Sequence, residues 1–253
     1  MRGFVARQEE FVARLDAEER AVLAGIASEV AVLLGAQPFR TAGRLRATAP
    51  RNEKGSAKGD AVGAPAGDAG EGEEPPPLHV LGFAWQRPVE APTDPAVRRL
   101  LPDASEDPEQ AAEFRRLTDA DLRARKIAGL RTWWHALRTP GGRYGDAVAV
   151  TVAEAPAVAA AMTDVRLVLA DRLGIRTDED GERVYAELQA PEPDPDAPGG
   201  EAASVRRAFV GVYAMLSELQ ETLVGAMLTR ARGRDATHGP HRPGPGGTGG
   251  RAG

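Results

Sequence analysis

The sequence predicts a mainly helical single domain, a helical bundle with a small N-terminal β element and a long disordered insertion and tail. Three observations lead to this class. Apolar residues recur at three- and four-residue spacing in four long stretches. The ends of those stretches carry helix-capping residues. The runs that suit strands are short and few.

Taken in order, Phe4–Arg7 and Glu10–Leu15 are short β-compatible runs around Gln8-Glu9. They predict a hairpin, although this pair lacks the Gly or Asn that a tight turn favours. Asp16, with Glu19 three residues on, forms a capping box for a helix carrying Leu23, Ile26, Val30 and Leu33 on one face and ending at Gly35. Residues 36–77 are low-complexity, with a basic first part and an acidic second part. A segment so poor in aromatic and β-branched residues cannot offset its ordering entropy, so it is expected to be a disordered, solvated insertion. LHVLGFAW, Leu78–Trp85, is apolar and is expected to dock on the core. The domain is therefore read as residues 1–35 with 78–232, and 233–253 as a disordered tail.

Asp94–Leu101, with Pro95 at its first position, predicts a short helix, and Pro108–Leu117 a second. Thr118 is expected to cap a long helix with the apolar stripe Ile127, Leu130, Trp133, Trp134 and Leu137. Val148–Val152 reads as a strand. Pro156 starts a helix burying Val158, Met162, Val165, Leu169 and Leu173, stopped by Gly174. Asp178, Glu179 and Asp180 read as solvated charge in a turn around Gly181, and 191–203 as a flexible loop within the domain. Ser204–Arg232 carries Val205, Phe209, Val212, Leu216, Leu219, Leu223 and Ala226 in alternating four- and three-residue steps. This seam serves packing within the bundle or, alternatively, a homodimer.

Composition excludes several functions. With no cysteine among 253 residues there is no disulfide, thiolate metal site, thiol nucleophile or thiol switch. Neither phosphate-loop nor dinucleotide fingerprint occurs. The four histidines are His79, His135, His238 and His241; the last two lie in the tail, and His135 falls on the polar side of its helix. No signal peptide or membrane span is legible, so a cytoplasmic, non-enzymatic protein without cofactor or metal is expected. Of the 32 cations 29 are arginine, which with the abundance of Ala, Gly and Pro reflects a GC-rich codon bias.

Positive charge is nevertheless concentrated. From Arg115 to Arg138 seven cations face two carboxylates, a local charge of +5 in a chain of net charge −5. Advancing 100° per residue from Leu130 brings Arg123 and Lys126 to within about 40° of the apolar stripe's axis, so their stems either project beyond the core or snorkel to its rim. With Arg115 and Arg116 they form a candidate edge for binding DNA or an acidic protein surface; the other reading of the same residues is a solvated helix end. Trp133 and Trp134 read as core and rim packing.

The blocks DPAVRRLLPDA, AAEFRRLTDADLRARKIAGL, TDVRLVLADRLGI and LSELQETLVGAML together resemble the AosR family of actinobacterial proteins. The resemblance covers residues 2–35 and 93–232. It implies an oxidative-stress transcriptional regulator that acts with an alternative sigma factor and on DNA near cysteine-synthesis genes, encoded beside the Clp protease adaptor. Redox sensing attributed to a cysteine pair in such regulators has no counterpart here. The expected function is thus a non-catalytic, transcription-associated regulator whose surface is Arg115, Arg116, Arg123 and Lys126. The alternative is a protein-interaction adaptor without DNA contact, linked to proteolysis.

Overall fold

The computed structural model describes residues 1–40, 90–139, 144–194 and 196–237. Within it, Met1–Phe39 and the described residues from Ala91 onward make one unit. The chain opens with an antiparallel hairpin, β1 (Arg2–Arg7) and β2 (Glu10–Arg14), turning at Gln8-Glu9. Gln8 supplies the left-handed conformation, φ 50°, that Gly or Asn would adopt more easily. Arg230 holds that turn from the far end of the chain, donating to the Gln8 carbonyl and pairing with Glu9. A third strand, β3 (Val148–Thr151), pairs antiparallel with β2, giving the order β1-β2-β3. Phe4, Phe11, Ala13, Val148 and Val150 face the core.

Helix α1 (Ala17–Leu33) starts as expected: Asp16 accepts from the Glu19 amide and Glu19 from the Asp16 amide. It ends in a Schellman turn, with Gly35 at φ 95° and bonds from Ala36 to the Ala31 carbonyl and from Gly35 to that of Val32. The ordered unit runs past the expected boundary at residue 35. Phe39 packs on the core, its amide donates to Ser28 Oγ, and its ring meets Trp134 edge-on at 5.8 Å. Ala36 packs against the core as well. Most of the predicted insertion, the apolar segment 78–85, His79 and the tail beyond residue 237 lie outside the described residues.

Asp94 caps α2 (Pro95–Leu100). The two helices expected over 108–138 are one, α3 (Pro108–Arg138), capped by Asp107. Thr118 is not a cap; its hydroxyl donates back to the Phe114 carbonyl inside a continuous helix. Nothing between Pro108 and Gly129 breaks a helix, and an N-cap side chain acts as one only where the backbone leaves the helical region. Helix α4 (Ala155–Leu173) starts beside Pro156 and stops at Gly174, φ 76°.

Helix α5 (Asp178–Gln189) replaces the turn expected around Gly181. Thr177 and Asp180 form a second capping box, which places the acidic run in the first turn, where the helix dipole favours it. Helix α6 (Gly200–Thr237) begins four residues earlier than Ser204 and extends past Arg232, so part of the expected loop and tail is helical.

Trp133 and Leu130 of α3, Met162 and Val165 of α4, and Leu216, Leu219 and Leu223 of α6 close one core with the sheet and α1. The α6 seam divides. Val212 to Leu223 is buried within the chain, whereas Val205 and Phe209 are exposed and Val210 enters a smaller cluster with Leu173 and Val184. No helix among the described residues is long and apolar enough to cross a membrane.

Candidate functional site

The first half of α3 lies on the surface. From Pro108 to Gly129, Ala111 is the only buried residue. The four cations expected to form a binding edge stand here, and each has a carboxylate within reach. Arg115 pairs with Asp103. Arg116 makes a two-pronged contact with Glu113, Nε to Oε2 at 2.9 Å and Nη2 to Oε1 at 2.5 Å. That contact holds the Glu113 carboxyl below its ordinary range and raises Arg116. Arg123 reaches Asp119 at 2.6 Å one turn back and directs Nη1 toward the Leu34 carbonyl, 3.4 Å away. Helix α1 carries no basic residue in its last turn, so Arg123 supplies the cation its C-terminal carbonyls favour.

Lys126 has the most enclosed carboxylate partner of the four. Its Nζ donates to Asp164 Oδ1 of α4 at 2.6 Å, and the Asp164 side chain is only 6% exposed. Burial pushes the Asp164 carboxyl up; Lys126, by hydrogen bond and charge, pulls it back. The pair closes one end of a groove of ≈ 360 Å³ between α3 and α4, walled by Leu122, Pro156, Ala157 and Ala160. The helices cross tightly at Gly129, where a β-carbon would stand 3.2 Å from the Ala157 carbonyl. The Lys126 stem therefore snorkels along the helix crossing, the second of the two options the helical wheel allowed. As a group the cations lie along one stretch of α3, but their charged heads are turned to four different partners rather than to a common ligand.

What α3 presents outward is different. Phe114 and Leu117 are 49% and 60% exposed. Together with the exposed Asp121, Ala124, Arg125 and Ala128, they fall within about 100° of the helix circumference. Phe114 and Leu117 do not stand out in the sequence, because a helix break at Thr118 would leave them at the end of a separate short helix. Once α3 is continuous, their three-residue spacing puts them on the solvent face. Trp133 and Trp134 are both buried, and His135 is exposed, as the helical wheel indicated.

Residues 1–227 match the model of a domain of unknown function, DUF2017. The chain belongs to the DUF2017 family. No curated protein and no solved structure matches it. In this DUF2017 chain the matched span runs from β1 into the last third of α6, so it includes the sheet, the α3 surface and the α3–α4 crossing.

Proposed function

We propose that this DUF2017 chain is a non-catalytic regulator that works by docking a protein partner on the outer face of α3. The observation that carries the reading is the exposed pair Phe114 and Leu117, on a helix whose four candidate cations are held by carboxylates. An aromatic and an aliphatic side chain ringed by mixed charge suit the buried centre and polar rim of a protein interface. Phosphate binding by Arg115, Arg116, Arg123 and Lys126 would first have to break four ion pairs, one of them buried. That favours the protein-partner form of the regulator over direct DNA contact at this edge. The resemblance to AosR proteins supplies transcription as the setting and a sigma factor as one class of partner. The adaptor role shares the same surface and differs only in what it delivers.

The test is a pull-down from cell lysate with and without nuclease, with bound proteins identified by mass. Retention of the same partner after nuclease treatment, and at raised salt, is the expected result. Loss of every partner on nuclease treatment would make nucleic acid the true ligand and overturn the reading.

A further inference from the structure

Many of the described arginines are held. Beyond the three on α3, Arg99, Arg172, Arg183, Arg206 and Arg230 form ion pairs, and Arg20, Arg98 and Arg207 donate to main-chain carbonyls. Arg2, Arg7 and Arg14 have no such partner among the described residues, which is also true of Arg40, Arg125, Arg176 and Arg232, but these three share one strand pair. Their guanidinium groups make no ion pair among the described residues, and all three border one hollow of ≈ 380 Å³ on the face of the sheet turned away from Phe11 and Ala13. Gly3, Val5, Val12, Tyr144 and Ala147 complete its lining, and no described carboxylate takes part.

The sheet is built to bring these arginines to one face. Val12 and Arg14 of β2 point outward because Phe11 and Ala13 point inward, and Val5 and Arg7 of β1 follow the same two-residue alternation. Arg2 lies three residues from Val5 and would face the core in a regular strand. A register shift between them corrects this and sets Arg2 directly opposite Arg14. The irregularity is anchored from α6: Thr222 Oγ1 accepts from the Phe4 amide at 3.0 Å, and Gly3 leaves the space that a β-carbon, 2.5 Å from Thr222 Cγ2, would occupy. Like charges directly opposite on a sheet repel. Here two cations are set facing each other by a specific distortion, with no anion among the described residues to separate them.

We propose that this face of the sheet is an anion site for phosphate groups, with the opposed guanidinium groups of Arg2 and Arg14 gripping one phosphate and Arg7 a second. Guanidinium forks match phosphate oxygens, and the bonds are charge-assisted. Arg2 and Arg7 are five residues apart, roughly 16 Å along an extended strand. A ligand reaching both ends is therefore an extended one carrying several phosphates, over an apolar floor of Val5 and Val12. Phosphates of this kind come either from a nucleic-acid strand or from a small polyphosphate compound. The site is separate from the α3 surface and does not depend on it.

The experiment uses the full chain and three probes: a fluorescent single-stranded oligonucleotide, its duplex, and tripolyphosphate as competitor. Wild type, the Arg2→Gln/Arg7→Gln/Arg14→Gln variant, and a control with equal charge loss, Arg98→Gln/Arg176→Gln/Arg183→Gln, are first matched for helicity and melting. Three phosphate contacts on a single strand give a slope of about −2 in log affinity against log salt, or about a twenty-fold loss between 50 and 200 mM. The triad variant is expected to lose binding and that slope, and the control to keep both. Displacement of the oligonucleotide by equimolar tripolyphosphate assigns a small polyphosphate ligand; resistance to it assigns a nucleic-acid strand. The proposal is overturned if wild type binds none of the probes at low salt, if the triad variant binds as wild type does, or if the control loses as much as the triad variant.

Discussion

Removing one partner of the Lys126–Asp164 pair gives a prediction with a magnitude and a sign. Lys126→Met keeps most of the stem that packs along the α3–α4 crossing and deletes the ammonium. Asp164 then remains 94% enclosed with a carboxylate whose Oδ1 has lost its donor. Breaking a buried pair from one side costs about 3–5 kcal/mol, because the surviving charge is uncompensated. For a domain of this size each kcal/mol moves the melting temperature by about 2–4 °C, so a fall on the order of 10 °C is expected near pH 7.5. The pH dependence follows from the Asp164 carboxyl. Burial already raises it above 3.8, and the variant loses the only contribution that lowers it. A carboxyl raised in the fold contributes stability that is complete below its unfolded value and is lost as pH rises through the folded value. The deficit of Lys126→Met relative to wild type is therefore widest at neutral pH and narrows on acidification toward 3.8. Adding Asp164→Asn removes the stranded charge and should recover most of the loss. Thermal melts of the three proteins between pH 4.5 and 8 test this. A variant that melts within a degree or two of wild type at neutral pH, or a deficit indifferent to pH, would refute the buried-charge argument.

Three further outcomes are expected. Leu216→Asp puts an unpaired carboxylate at a position with no solvent exposure, a cost of several kcal/mol, and should abolish cooperative melting in circular dichroism. Gly3→Ala drives a methyl group into Thr222, which should cost about 1–3 kcal/mol, and Thr222→Ala should offset part of that loss; strictly additive melting shifts would place the clash elsewhere. Partner binding should be indifferent to diamide when this protein alone is treated, since the chain has no cysteine, and a response would implicate a thiol on the partner.

Element type was legible in the sequence wherever a cap and a periodic face coincided. Asp16 with Glu19, Asp94 with Pro95, and Pro156 with Gly174 each marked a helix end that the structure retains. The errors came from reading a polar residue by its usual habit. Thr118 can cap a helix, yet mid-helix its hydroxyl bonds the preceding turn; Gly181 can break one, yet the Thr177–Asp180 box nucleates a helix through it. The α6 seam was visible, but which part is covered depends on how far α4 and the sheet extend beneath it. For the α3 cations, charge and position were readable and pairing was not. Asp119 and Glu113 are local, whereas Asp103, Asp164 and the Leu34 carbonyl are brought by the fold. The arginines of the sheet were invisible as a group, since Arg2 and Arg14 meet only through strand register and a bulge.

The claim that α3 binds through its apolar face rather than its cations is tested most directly by two variants side by side. Phe114→Ser/Leu117→Ser alters only exposed side chains, and Arg115→Gln/Arg116→Gln keeps polar side chains and breaks two ion pairs whose carboxylates are exposed, a cost of about 0–1 kcal/mol each, so both should fold as wild type does. Partner retention on nuclease-treated lysate is the readout. The first variant is expected to lose the partner and the second to keep it. Retention by the first and loss by the second would rule out docking on the apolar face and return the binding function to the cationic edge.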